Sequence, residues 1–180
     1  MTARCVVILR AALLVLVAGS AAPALGAPDE VSLRRAGVPP ALVPWAQASA
    51  TGDWSSVNAW GQIGAWGLAP AALTGVRPTR VLSEPRVQVR AWIARERAVW
   101  ATIHRLGLAA GAGREVCVAS ACGTVTASSL LAACRNGCAG PDSPLRRWHA
   151  GAGCDDLPGL CHRLLTWRNH DVADIVGSRQ

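Results

Sequence analysis

Six cysteines clustered in the last third of the chain constrain its fold more than any other feature. They all lie within 45 residues, at Cys117, Cys122, Cys134, Cys138, Cys154 and Cys161. The seventh cysteine, Cys5, lies in an apolar leader. An even number of clustered cysteines behind such a leader is typical of a disulfide framework that forms in an oxidising compartment. We therefore expect an exported protein whose C-terminal portion is stabilised by disulfide bonds.

The cysteine spacings leave the disulfide connectivity open. Pairing of neighbours, Cys117–Cys122, Cys134–Cys138 and Cys154–Cys161, is the most local solution, although such short loops demand particular backbone geometry. A metal site is the alternative, because His162 follows Cys161 directly. The spacings CxxxxC, CxxxC and CxxxxxxC lack the CxxC knuckles typical of structural zinc sites, and redox pairs also normally use CxxC. We expect disulfides, no bound metal and no cofactor.

The first 26 residues have the composition of a removable export signal. Arg4 and Arg10 provide a positive start, and the uninterrupted apolar run covers only residues 11–18. Small residues follow, and Ala24-Leu25-Gly26 offers a cleavage box. A spanning helix needs roughly 20 apolar residues, so retention of the leader as an anchor is the less favoured alternative. We expect a periplasmic or secreted product, cleaved after Gly26, without stable membrane insertion.

Arginine supplies every basic charge, and lysine is absent. Loss of the leader would remove two of the 18 basic residues and leave 11 acidic ones, a net charge of +5. The composition of a GC-rich genome explains this usage, and attraction to an anionic cell wall or membrane surface is the functional alternative. No run of arginines resembles a nucleic-acid-binding arm, so nucleic acid is not an expected partner.

The apolar spacing predicts a mainly α fold. The clearest element is a helix from Pro85 to about Leu106, with Ser83 as its N-cap, Gly107 as its stop, and a core-facing stripe that includes Trp92. We treat 27–180 as one domain, with a helical part at 27–113 and a cysteine-rich helical part at 114–180. The other predicted elements are a polar entry at 27–37, helices at 38–50, 65–73, 127–135 and 157–169, a loop at 52–64, and a short strand at 116–118.

Four short motifs follow one another between residues 38 and 141. They are VPPALV at 38–43, GAWGLAP at 64–70, EPRVQV at 84–89 and ACRNG at 133–137. In order and approximate spacing they resemble the soluble lytic transglycosylase family, lysozyme-like enzymes that cleave the glycan strands of peptidoglycan. The resemblance implies a lysozyme-like helical fold with a cleft for peptidoglycan.

The chain departs from this family at the catalytic position. The family's glutamate protonates the leaving glycosidic oxygen and then acts as a base. Ungapped counting from Val38 places Ala50 at that position and Thr51 at the serine that follows it. Cys134 and Arg135 occupy the later tyrosine and asparagine positions. Because alanine cannot transfer a proton, the resemblance implies a fold that has lost its catalytic apparatus.

Two carboxylates are candidates for a replacement catalytic acid. Asp53 lies three residues after Ala50, although a turn-capping or solvated role is the simpler interpretation. Glu96 falls on the apolar stripe of the long helix, one turn from Trp92 and from Trp100. Burial there would favour the protonated form that a general acid requires. The simpler alternatives for Glu96 are an ion pair with a distant arginine and exposure at the edge of the stripe.

Tryptophans between residues 45 and 66 form the candidate glycan-binding segment. Flat indole rings stack on sugars, while indole and amide N–H groups donate hydrogen bonds. The alternative is that tryptophan performs all aromatic packing in a chain without Phe or Tyr. The predicted glycan-binding residues are Trp54, Asn58, Trp60, Gln62 and Trp66.

These features predict an exported, disulfide-stapled protein that binds peptidoglycan or another anionic glycan without cleaving it. An active divergent lytic transglycosylase that uses Asp53 or Glu96 is one alternative. A small secreted protein-interaction domain is the other.

Overall fold

The computed structural model describes residues 26–73, 75–135 and 137–177, and this part of the chain is mainly helical. The predicted export leader lies outside the described residues, apart from Gly26. The described α-helices are α1 (Glu30–Arg35), α2 (Val43–Ser49), α3 (Pro78–Ser83), α4 (Pro85–Arg105), α5 (Ala127–Cys134), α6 (Pro144–His149), α7 (Pro158–Thr166) and α8 (Ala173–Val176). The strands β1 (Glu115–Val118) and β2 (Ala121–Thr124) form one antiparallel hairpin.

The long helix α4 confirms the strongest sequence prediction. Pro85 occupies its first turn, where a missing N–H costs nothing, and Gly107 follows its end with a φ of 72° that favours glycine. The predicted cap is wrong. Ser83 ends α3 instead, and Glu84 is the N-cap residue of α4 without a capping side-chain hydrogen bond. A single residue therefore separates the two helices.

Two predictions for the 27–113 part of the chain are wrong. The expected polar entry at 27–37 contains α1, because the Asp29 carboxylate caps it by accepting a hydrogen bond from the Ser32 N–H at 2.7 Å. The expected helix at 65–73 is a turn that ends in the 3-10 helix Pro70–Ala72. An α-helix cannot form there, since Ile63 pairs with Leu68 and Gly67 has a φ of 55°.

The expected helix at 38–50 is divided into the 3-10 helix Pro40–Leu42 and α2. The helices expected at 127–135 and 157–169 are confirmed in slightly shorter form as α5 and α7. Besides α1, the sequence analysis missed α3, α6, α8, the second strand β2 and the 3-10 helix Leu108–Gly111.

One buried hydrophobic cluster contains residues from both 27–113 and 114–180. Helix α4 lies at its centre and packs against α1, α3, α5 and α8. Trp92 of α4 and Trp45 of α2 are fully buried there. The boundary proposed at residue 113 therefore does not interrupt the hydrophobic core.

The cysteines pair with their neighbours, so the disulfide prediction is confirmed and the local connectivity is the one observed. Cys117 and Cys122 stand opposite each other in the β1–β2 hairpin. Glu115 lies near both sulfurs and would complete a three-ligand metal cluster. Both sulfurs are joined in the disulfide, however, and are not available as thiolate ligands.

Candidate functional site

An open groove of about 700 Å³ lies between the 62–76 segment and one face of α4. Small and aliphatic side chains form most of its wall, and Arg135, which follows α5, closes one side. We call it the arginine groove, because the charged side chains that line it within the described part of the chain are Arg80, Arg90, Arg95 and Arg135. Such a lining creates a positive field that attracts anions.

Gln88 holds together the segments that build this groove. Its side chain is fully buried, and its Oε1 accepts a hydrogen bond from the Ala65 N–H at 2.7 Å. Its Nε2 donates to the carbonyl oxygens of Trp54 at 2.9 Å and Val81 at 3.0 Å. One amide thus joins α4 to α3 and to two points of the 54–65 loop. The loop and α4 are fixed relative to each other by these bonds.

Gly64 allows this arrangement because it has no side chain. Its φ is 74°, and a Cβ atom at this position would overlap the Gln88 amide. The next carbonyl, that of Ala65, accepts hydrogen bonds from the N–H groups of Thr51 at 2.7 Å and Gly52 at 3.2 Å. The second and third motif segments of the resemblance therefore meet here, and Arg135 of the fourth lines the same groove.

Two of the predicted glycan-binding tryptophans are part of the core. Trp54 and Trp66 are each only 3% exposed and meet edge to face, with ring centroids 5.4 Å apart. Trp66 also stacks on Trp92 at 4.7 Å and donates its indole N–H to the Ala46 carbonyl at 2.9 Å. A sugar ring could stack on either indole only if this packing opened.

The other three predicted glycan-binding residues form a fixed, solvent-facing loop. Trp60 is 84% exposed. The Asn58 Oδ1 accepts hydrogen bonds from the backbone N–H groups of Trp60 and Gln62, both at 3.0 Å. The Asn58 amide donates to the Gln62 Oε1 at 2.8 Å, and Gln62 itself lines the arginine groove. The exposed indole therefore lies two residues from the groove wall on an internally hydrogen-bonded turn.

The two candidate acids lie in different environments. Asp53 is exposed and is not among the residues that line the groove, and its backbone N–H bonds to the Ser56 hydroxyl at 2.7 Å. Glu96 is fully buried, which excludes the alternative of exposure at the edge of the stripe. Its Oε1 lies 2.9 Å from the Arg95 Nη2, and its Oε2 lies 3.4 Å from the Arg135 Nη2. The simpler alternative, an ion pair, is the arrangement observed.

Aromatic rings surround the guanidinium of Arg135. Its central carbon lies 4.6 Å from the Trp45 ring centroid and 5.7 Å from that of Trp167. Burial lowers the pKa of Arg135 from its ordinary value, and the nearby Glu96 carboxylate opposes this effect. Burial also lowers the pKa of His170, which touches both indole rings, and the charge of Arg135 lowers it further.

Sequence reasoning did not identify the arginines of this site. Arg95 precedes Glu96 directly, whereas the sequence analysis considered only a distant arginine as its ion-pair partner. Arg135 was noted only as a departure from the family pattern. One signal was present, since a carboxylate on an apolar stripe needs a cationic partner when it is buried.

Comparison of the chain with family models, with curated proteins and with solved structures gives no match. Within the described residues, every helix is too short or too polar to cross a bilayer. The chemistry of the groove is therefore the main basis for a functional assignment.

Proposed function

We propose that the protein binds an anionic glycan, such as the peptidoglycan of a cell wall, in the arginine groove and does not cleave it. The observation that carries this proposal is the groove's lining of four arginines, beside a fixed loop that exposes Trp60. The arginines would attract the acidic groups of the polymer, and the indole would offer a face to a sugar ring.

The rigidity of the loop supports this role. The hydrogen bonds of Asn58 hold the backbone on both sides of Trp60 before a ligand arrives. A preorganised platform loses less conformational entropy on binding than a flexible one. The exposed indole also has no packing function that would account for its presence, unlike Trp54 and Trp66 in the core.

The positions of the acids support binding without cleavage. A general acid must reach the glycosidic oxygen within hydrogen-bond distance. Glu96 is buried and ion-paired, and Asp53 lies away from the groove lining. Ala50, at the position that the resemblance assigns to the catalytic glutamate, has no proton to give.

Sedimentation with purified, insoluble peptidoglycan tests the proposal. The oxidised mature protein is incubated with the polymer, the pellet is assayed for protein, and the supernatant is assayed for released muropeptides. We expect bound protein and no release. Trp60→Ala should weaken binding by about fivefold, since an aromatic contact contributes roughly 1 kcal/mol. Val31→Ala, a truncation of an exposed apolar side chain on α1, is the matched control and should bind normally.

The other outcomes separate the alternatives. Release of anhydro products would contradict a non-catalytic role and favour an active lytic transglycosylase. Catalysis by Asp53 or Glu96 then predicts that Asp53→Asn or Glu96→Gln abolishes release while binding survives. Absence of both binding and release would overturn the proposal for peptidoglycan, and a secreted protein-interaction domain would become the better hypothesis.

A further inference from the structure

We propose that Arg95 and Arg135 form a site for a carboxylate group of the ligand within the arginine groove. This inference rests on the proposed function, because it names the chemical group that the groove recognises. It concerns the two less exposed arginines that contact Glu96, whose side chains are 29% and 17% exposed. Arg80 differs from them, since it already pairs with Glu84 at 2.7 Å on the surface.

The charges around Glu96 are not balanced. One carboxylate faces two guanidinium groups, at 2.9 Å and 3.4 Å, which leaves a surplus of one positive charge. His170, which contacts Trp45 and Trp167 beside Arg135, cannot supply the missing negative charge, because an imidazole side chain is either neutral or cationic. Buried charges are normally paired, because removal from water is costly. A single negative charge from a ligand would complete the pairing.

Hydrogen-bonding capacity is also left over in this cluster. The Nε atoms of Arg95 and Arg135 and the Nη2 atom of Arg135 are buried without a hydrogen-bond partner among the described residues, and so is the single acceptor Oε2 of Glu96. The Nη2 contact with Glu96, at 3.4 Å, is an ion pair rather than a hydrogen bond. Buried donors without partners are uncommon, and a bound water, ion or ligand commonly accounts for them.

Both guanidinium groups are held in place before any ligand binds. Arg95 donates to the Trp66 carbonyl at 2.8 Å and to Glu96 at 2.9 Å. Arg135 lies against the rings of Trp45 and Trp167. A planar guanidinium fork matches the two oxygens of a carboxylate, and fixing its orientation in advance lowers the entropic cost of binding.

The surplus charge of one favours a monoanion over a phosphate dianion. In a cell-wall polymer, a carboxylate can come from an acidic sugar of the glycan strand or from an attached peptide. Both sources present the same group to the arginines. The experiment must therefore offer each source separately.

Calorimetric titration of the oxidised mature protein tests this site with three probes. The first is glycan strands from which the peptide has been removed, so that their muramic acid carboxylates are free. The second is the stem peptide alone, which is the peptide normally attached to those carboxylates. The third is the neutral oligosaccharide chitotetraose. We expect one of the two acidic probes to bind at least tenfold more tightly than chitotetraose. Arg135→Gln should remove this preference, with a loss of about tenfold to a hundredfold for the acidic probe. Arg147→Gln removes the same charge from the exposed face of α6 and should leave the preference intact.

Arg135→Lys tests the site even if Arg135→Gln does not fold, because lysine keeps the positive charge that faces Glu96. It should retain the near-ultraviolet circular dichroism spectrum of the tryptophans and still lose several-fold in affinity for the acidic probe, since lysine lacks the planar fork. Full retention of affinity in this variant would overturn the proposed recognition.

The probes distinguish failure of this inference from failure of the proposed function. Equal affinity for the acidic and neutral glycans, without tighter binding of the stem peptide, would overturn the carboxylate site and leave glycan binding standing. Binding of the stem peptide alone, lost in Arg135→Gln, would support the carboxylate site and overturn the glycan proposal. Failure of all three probes to bind would overturn both.

Discussion

Gln88→Met provides the sharpest test of how the groove is held together. Methionine has about the volume of glutamine and suits a helix, so the exchange removes the amide's hydrogen bonds without creating a large cavity. The Ala65 N–H and the carbonyl oxygens of Trp54 and Val81 would lose their partner. The Gln88 side chain that bonds these three backbone groups is fully buried, so water cannot readily take its place as their hydrogen-bond partner.

The expected cost follows from these three groups. A buried polar group left without a hydrogen bond costs about 1–3 kcal/mol. Taking the lower value for each, because the loop can relax, gives a loss of about 3 kcal/mol in the free energy of unfolding. With an m value of about 2 kcal/mol/M in urea, the unfolding midpoint should fall by about 1.5 M.

Urea unfolding of the oxidised protein, followed by tryptophan fluorescence, measures this change. Gln47→Met is the matched control, because Gln47 is exposed on α2 and the same exchange there should alter stability by less than about 0.5 kcal/mol. If Gln88→Met were as stable as this control, the amide would not be the link between α4 and the 54–65 loop. The reasoning about the groove's framework would then be refuted.

Three further predictions concern stability. Gly64→Ala should destabilise the fold by more than about 2 kcal/mol, because the added Cβ overlaps the Gln88 side-chain amide. Gly61→Ala is the control, since Gly61 also has a positive φ but has open space around it, and it should cost about 1 kcal/mol. Equal losses of stability in urea unfolding would contradict the overlap. Because burial depresses the pKa of His170 in the folded state, stability should fall as the pH drops below the ordinary histidine range, and His170→Gln should show a smaller fall over the same pH series. Replacing Cys154 and Cys161 together by alanine should cost about 2 kcal/mol by the chain-entropy argument, and an unchanged thermal midpoint would contradict it.

The sequence predicted best those features that depend on residue spacing within a single helix. Helix α4 was located from apolar residues at helical spacing, and Trp92 on that stripe is fully buried in the structure. The same stripe left both burial and exposure at its edge open for Glu96, and the structure shows burial. The prediction of a helix at 65–73 was wrong, because Leu68 pairs with Ile63 and Gly67 has a positive φ. Local helix propensity describes neither of these features.

The candidate site depends on contacts that no local pattern contains. Arg135 and Glu96 are 39 residues apart in the chain, and only the packing of α5 against α4 brings them together. The tryptophans illustrate the same limit. Trp54 and Trp60 occupy the same predicted loop, yet one is buried and the other is the most exposed large apolar side chain described. Their tertiary environments decide the difference.

The position of Arg135 has a consequence for the order of assembly. It is contributed by the cysteine-rich part of the chain, directly after Cys134 and its disulfide with Cys138, whereas the other three arginines of the groove belong to the 27–113 part. The complete set of cations therefore exists only after the two parts have docked. Ligand binding should accordingly appear late in oxidative refolding, and a fragment that ends at residue 113 should lack the full groove. If the chain is exported and binds a wall polymer as proposed, this arrangement would delay recognition of that polymer until the C-terminal part has folded.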